Sequence, residues 1–348
     1  MRLESCLAAG LAGLCLAASA AADPIADFYR GRQVTIIVGG EAGTDYDFYA
    51  RLLAHHLPRH LPGSPTVIFQ YMPGAGSVIA TNHVYNIAPQ DGTVILAPAR
   101  TATLAPIMGQ TGTRYESARL NWLGSLNREV GVMQVWASWN VKTIEDARRQ
   151  QLVIGSTSPL TDSDEYPNLL NATLGTKFKL VRGYRSITAI QIALEQGEVQ
   201  GQQNSFTNMV DHFPDWRGKI NLLVQLSPTS HPAIPEIPLV FDLIRPGAVA
   251  PGFTVAEVEE LWRIILNQQA IGRPYAVGPD VPAERVAALR AAFEATLADP
   301  EFRAEAARSR LALAPESGVA IQAALARVAA TPPATLARLR ALVLGPAK

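Results

Sequence analysis

Strand and helix alternate along the first hundred residues, and polar or glycine-rich loops separate them. A β-branched run at 34–38 reads as a buried strand. Tyr46, Tyr49, Leu53 and Leu57 then recur at helical spacing, with Thr44 as N-cap and Asp47 in a capping-box position, and the helix stops by Pro58. The pattern repeats with a strand at 66–70, the loop "MPGAGS" (72–77) and a helix at 78–87. A turn, "APQDG" (88–92), leads to a third strand at 93–97. Strands joined through helices imply βαβ units and a mainly parallel sheet, which binds ligands in the loops beyond the carboxyl ends of its strands. Those loops are 39–46, 72–77 and 98–104.

A second unit follows. Strands are predicted at 130–137, 152–154, 178–184 and 220–226, with helices at 141–150 and 187–195 and a long polar loop at 155–167. A neutral polar run, "GEVQGQQNS" (197–205), precedes the last of these strands. Beyond a proline-rich stretch (228–238) the chain is mostly alanine- and leucine-rich helices around one strand near 269–277, including an amphipathic helix at 281–302. Two α/β units with polar loops suggest two lobes facing across a cleft, a favoured site for small molecules.

The N-terminus reads as a cleaved secretory signal, 1–22, with a short apolar stretch and small residues at 20–22. Cys6 and Cys15 both lie inside it. Leu14 stands where a lipoprotein signal would need a small residue, so plain export is expected, and the mature chain is expected to hold no cysteine, disulfide or thiolate. Thirty basic and thirty acidic residues give zero net charge, which points to neither nucleic acid nor an anionic membrane surface as partner. No nucleophile elbow, phosphate-binding P-loop, H-E-x-x-H or dinucleotide fingerprint occurs, so neither catalysis nor a cofactor is expected. His56 and His60 are i, i+4, but Pro58 between them opposes one regular helix, and they read as surface histidines rather than metal ligands. "DSDE" (162–165) lacks the spacing of a calcium loop and reads as a polar helix N-terminus.

The ordered set "VGGEAGTDYDFYARLLA" (38–54), "MPGAGS", "APQDGTVIL" (88–96), "WLGS" (122–125), "IGSTSPLTDSDEYP" (154–167), "GEVQG" (197–201) and "PAERVAALRAAF" (282–293) resembles the Bug or TctC family, the periplasmic receptors of tripartite tricarboxylate transporters. The resemblance covers essentially the whole chain after residue 22. It implies a two-lobed periplasmic-binding-protein fold, α/β with mostly parallel sheets flanked by helices. Lobe one would be 23–125 with a return at 239–348, and lobe two 126–238. It also implies a monomeric periplasmic receptor that binds a small organic acid and hands it to membrane subunits of the transporter. A sensor that docks on a membrane signalling protein, or an exported enzyme on the same fold, would need the same cleft.

On that resemblance the loops at 39–46 and 72–77 hold a ligand carboxylate. Gly43, Thr44, Asp45, Asp47, Gly74, Ala75, Gly76 and Ser77 are the candidates there, with backbone N–H groups at a helix start as donors. Arg100 adds a planar fork. Ser156, Thr157, Ser158, Tyr184 and Gln203 are the candidates of the second lobe, with Asp162 and Ser163 as secondary ones, and no metal ligand is expected. The sequence departs from the family where Gly39-Gly40 replace Pro-Phe and where Glu41 and Asp45 enter the loop. Those acids are solvated loop residues, or accept hydrogen bonds from ligand hydroxyls or an ammonium, or mark a ligand other than a simple dicarboxylate. For Asp47, a capping role is the competing reading.

Overall fold

The structure, a computed structural model, describes residues 23–159 and 161–344. The expected signal peptide, with Cys6 and Cys15, lies outside them. Eleven strands form two sheets. The first contains β1 (Gln33–Val38), β2 (Thr66–Tyr71), β3 (Val94–Ala97), β4 (Asn121–Ser125), β10 (Pro274–Val277) and β11 (Glu316–Ser317), in the order β11-β4-β10-β3-β1-β2. The second contains β5 (Gly131–Trp136), β6 (Leu152–Gly155), β7 (Phe178–Val181), β8 (Gly201–Ser205) and β9 (Ile220–Leu226), in the order β7-β6-β8-β5-β9.

Both sheets are mixed rather than mostly parallel. β1 pairs in parallel with β2 and β3, but β10 enters antiparallel between β3 and β4. In the second sheet β6 pairs in parallel with β7 and β8, and β5 lies antiparallel to β8 and β9. The cause is the connectivity: β5 and β10 each follow a passage from one sheet to the other and insert with reversed direction.

Among the described residues, three large apolar cores hold these layers. One face of the first sheet, through Val34, Ile36 and Val38, packs on the helices Asp45–His56 and Ala283–Ala298. The opposite face of the second sheet packs Val132 and Leu222 on the helices Ile187–Glu195 and Phe206–His212. Between them a single apolar cluster runs from Ile37, Leu96 and Trp122 to Met133, Ile154 and Leu170. The helices Val255–Leu266 and Pro333–Leu344 fill that central layer. Trp262 Nε1 donates to Thr173 Oγ1 (3.2 Å), and Asn168 Nδ2 donates to the Val343 carbonyl (2.8 Å).

The expected elements of the first hundred residues are present with their ends moved by a residue or two. Three strands are additions: β4, β8 within the run read as polar, and the two-residue β11. The predicted helix over 281–302 is two, Ala283–Ala298 and Pro300–Arg308, broken where Asp299 caps both and Pro300 cannot continue the first ladder. Among the described residues no helix is long and apolar enough to cross a membrane.

Candidate functional site

A cleft of about 350 Å³ opens where loops of the two sheets meet. The first sheet contributes Asp45 and Tyr46 from the helix after β1, Arg100 and Thr101 from beyond β3, Glu129 from beyond β4, and Arg273 immediately before β10. Arg273 reaches this edge because β10 runs antiparallel, so its start lies where β1 and β3 end. The second sheet contributes Thr157, Thr161, Asp162 and Ser163 from beyond β6, and Gln203, Asn204 and Ser205 from β8.

Two arginines dominate the chemistry. Arg100 forms an ion pair with Asp162 of the other sheet's loop, and Asp162 also accepts from Gln269 Nε2 (3.0 Å). Burial is the largest single effect and works against the Arg100 charge, but Asp162, Tyr46 and Glu129 together outweigh it and hold the guanidinium well above its usual range. Arg273, with a side chain only 7% exposed, lies 3.1 Å from Asp45 Oδ2 and 3.1 Å from Glu129 Oε1. Its guanidinium stands 4.6 Å from the centre of the Tyr46 ring and 5.3 Å from that of Tyr49. Burial pushes the Tyr49 phenol up to about 12. Arg100 Nε, Arg273 Nε and Asp162 Oδ1 are buried and have no partner among the described residues. Such atoms are costly unless something else satisfies them.

The rim of the second sheet is neutral. Thr157, Thr161 and Ser163 hydroxyls form a triangle with 3.0 Å sides. Gln203 Nε2 donates to the Asn204 carbonyl, and Asn204 Nδ2 to Asn208 Oδ1 (3.2 Å). These groups both donate and accept, so they suit hydroxyl, amide or carboxylate recognition without adding charge.

Of the residues singled out in the sequence, the structure brings together Asp45, Arg100, Thr157, Asp162, Ser163 and Gln203 at the cleft. The others lie beside or behind it. Asp47 is buried and turned back on its own loop, accepting from Gly43 N (2.8 Å), Arg51 Nε (2.7 Å) and Tyr71 OH (2.6 Å). Burial raises its pKa, and those hydrogen bonds with the Arg51 charge more than offset that, leaving it below the usual carboxylate range. Thr44 is the N-cap of its helix by backbone conformation, but its hydroxyl donates to the Glu41 carbonyl instead of capping. Gly74, Ala75, Gly76 and Ser77 form four consecutive residues of positive φ. Ser77 is the fixed point of that turn: its Oγ donates to the Gly39 carbonyl and accepts from Ala99 N, both at 2.9 Å. One hydroxyl thus ties together the loops after β1, β2 and β3. Ser156 is fully buried and donates to Asp164 Oδ1 (3.0 Å), Ser158 is exposed, and Tyr184 packs against the apolar core around Ile190 and Phe213.

Tyr46, Glu129 and Arg273 are the charged and aromatic cleft residues that sequence reasoning did not assign. Asp162 and Ser163 stood in the motif read as a helix N-terminus, which they do begin, in Asp162–Leu174.

A second cluster lies elsewhere, on the helices Asp45–His56 and Pro300–Arg308. His55 Nδ1 and His56 Nε2 approach Glu305 Oε2 at 3.0 and 2.8 Å. His56 is buried, not a surface histidine, packed edge-on to Phe302. Arg59 donates to His56 Nδ1, so Nε2 carries the proton given to Glu305. A metal-bound histidine needs the reverse, an acceptor on its second nitrogen. The cluster is a helix–helix hydrogen-bonded contact.

No family model and no curated protein matches this chain. Solved structures do. A TctC solute binding protein from Polaromonas superposes over 90% of this chain and 99% of its own, with TM-score 0.70 and 20% identity. The periplasmic binding protein BugD covers 90% and 96%, at TM-score 0.59 and 20% identity. MatC from Rhodopseudomonas palustris with bound malate covers 90% and 99%, at 0.58 and 17%. The chain has the TctC/Bug solute-binding fold. Within the TctC/Bug fold, the two α/β sheets flanked by helices are the two lobes, and the cleft described above lies between them.

Proposed function

We propose that this protein is a non-catalytic extracytoplasmic receptor that binds one small organic acid between its lobes and delivers it to membrane subunits of a tripartite tricarboxylate-type transporter. In this reading the lobes are 23–125 with 239–348 and 126–238, and the protein acts as a monomer in the periplasm. The observation that carries the reading is the pair of buried arginines, each with an unpartnered Nε, in an inter-lobe cleft on this fold. A guanidinium offers a carboxylate several donors in a fixed plane. The malate bound by one structural neighbour is a small carboxylate of suitable size for such a cleft.

In this reading Asp45, Arg100, Thr157 and Gln203 contact the ligand, joined by Arg273, Tyr46 and Asn204. Gly43, Thr44, Asp47, Ser156 and the 74–77 turn hold the loops in place. Ser158 and Tyr184 stand outside the contact set.

A thermal-shift screen of the purified protein against C3 to C8 dicarboxylates, citrate, aromatic acids, amino acids and neutral sugars tests it. Ligand at about 100 times Kd stabilises by roughly 2.7 kcal/mol. Stabilisation by at least one acid, recovered chemically unchanged, is expected. Conversion of the bound acid would point to an enzyme, and no shift with any acid would remove the receptor reading.

A further inference from the structure

The charges lining the cleft do not balance. Arg100 and Arg273 face three acids, Asp45, Glu129 and Asp162, so the lining carries one formal negative charge before any ligand enters. Both cations are already countered: Arg100 by Asp162, and Arg273 by Asp45 and Glu129 together. Glu129 is 5% exposed and its Oε1 also accepts from Asn127 Nδ2 (3.2 Å), so it is fixed where it stands. The other lining groups named above are hydroxyls and amides, which add no charge.

A dianion would raise the negative charge of the cleft to three. Around the buried Glu129 and Asp162 solvent screens poorly, and like charges a few ångströms apart repel strongly. A purely cationic ligand would instead leave the two buried guanidinium Nε donors unsatisfied. The unpartnered atoms are of both kinds: donors at Arg100 Nε and Arg273 Nε, and an acceptor at Asp162 Oδ1.

Resting on the receptor reading above, we infer that the cleft takes a zwitterion, a small molecule with one carboxylate and one protonated amine, in preference to a dicarboxylate. The carboxylate meets the arginine donors, and the ammonium meets Asp162 and the Asp45–Glu129 side. Each ligand charge then finds an opposite one, and the sum of the site is unchanged on binding.

Calorimetric titration of the purified protein with three series of matched length, C3 to C6, decides this: α,ω-diacids, amino acids (α- and ω-amino), and α,ω-diamines. The best amino acid is expected to bind at least tenfold more tightly than the diacid of equal length. A diacid that binds equally or better overturns the inference and leaves the receptor reading in place. A diamine that binds best also overturns it, because the arginines would then not be reading an anion. Silence from all three series, together with no response in the wider acid screen, would remove the receptor reading itself. Asp45→Asn provides the second test. That side chain is 65% exposed, so the variant is expected to fold, and removing its charge is expected to move the diacid-to-amino-acid affinity ratio several-fold toward the diacid. An unchanged ratio counts against the assignment of the ammonium end.

Discussion

Ser77 shows how a single side chain can carry the geometry of a site without touching what the site binds. Its hydroxyl is a donor to the loop after β1 and an acceptor from the loop after β3. A Cβ added to Gly39 would collide with the Ser77 Oγ and Cβ. Gly39 is therefore needed for close approach, and Ser77 is what approaches. Ser77→Ala leaves a half-buried N–H and a buried carbonyl without this partner and is expected to cost roughly 1–3 kcal/mol in urea unfolding. Gly39→Ala is expected to cost a similar amount by overpacking. In a Ser77→Gly background, where the obstructing atoms are gone and the left-handed φ of 72° is relaxed, the same Gly39→Ala change should cost clearly less. Additive costs in that cycle would rule out the contact as the reason for the glycine. The sequence marks Ser77 and Arg100 because both follow strands in a local pattern. It does not mark Arg273, whose partner Asp45 is far off in the chain and whose strand points the opposite way. Glu129 is invisible for the same reason: only the folded register of β4 and β10 brings it beside Arg273.

At the scale of elements, apolar strands and capped helices are legible, and polar ones are not. β8 is Gly-Gln-Gln-Asn-Ser, a composition that favours turns, yet it is held between β5 and β6 by pairing on both sides. Tertiary contacts override its propensity, and the same polarity that hides the strand equips its end to line the cleft. The helix Asp162–Leu174 is the converse case. Its first turn carries Asp162, Asp164 and Glu165, as the macrodipole favours. Asp164 is satisfied by Arg182, whose Nε and Nη2 lie 2.6 and 3.0 Å from its two oxygens. Glu165 has no such cation. Burial, with the neighbouring charges of Asp162 and Asp164, pushes its carboxyl up to about 8. The folded protein therefore keeps a proton there that the unfolded chain releases near pH 4.5. The unfolded state binds fewer protons in between, so this residue lowers stability progressively as pH rises from about 4.5 to 8. Glu165→Gln removes the titration. The variant is expected to match the parent near pH 5 and to exceed it by a few kcal/mol at pH 8 and above. Unfolding free energies measured at both pH values check this, and a difference independent of pH would mean that Glu165 is not held protonated.

At the scale of the whole molecule, two sheets need not mean two independently stable units. The central apolar cluster is continuous from Ile37 and Trp122 of the first sheet to Met133 and Leu170 of the second. The helix Val255–Leu266 contributes Leu261, Trp262 and Ile265 to it, and Pro333–Leu344 contributes Leu339 and Val343. The Arg100–Asp162 pair and the Gln269 bond to Tyr166 OH (2.7 Å) tie the cleft side together as well. A lobe that unfolded alone would expose this shared surface on its neighbour, at a cost proportional to the apolar area uncovered. Unfolding is therefore expected to be a single cooperative transition, with calorimetric and van't Hoff enthalpies in agreement. Leu339 is fully buried, and Leu339→Ala is expected to destabilise by about 2–5 kcal/mol. The informative feature is the form of the change: one transition moved to lower temperature, not one half of the signal lost. Two resolved transitions in the parent, or a split produced by Leu339→Ala, would mean that the lobes are thermodynamically separate. Ligand binding in the cleft acts on the same equilibrium. In a single cooperative unit it must raise the stability of both sheets together, so probes placed on the first and second sheets should shift by the same amount at every ligand concentration.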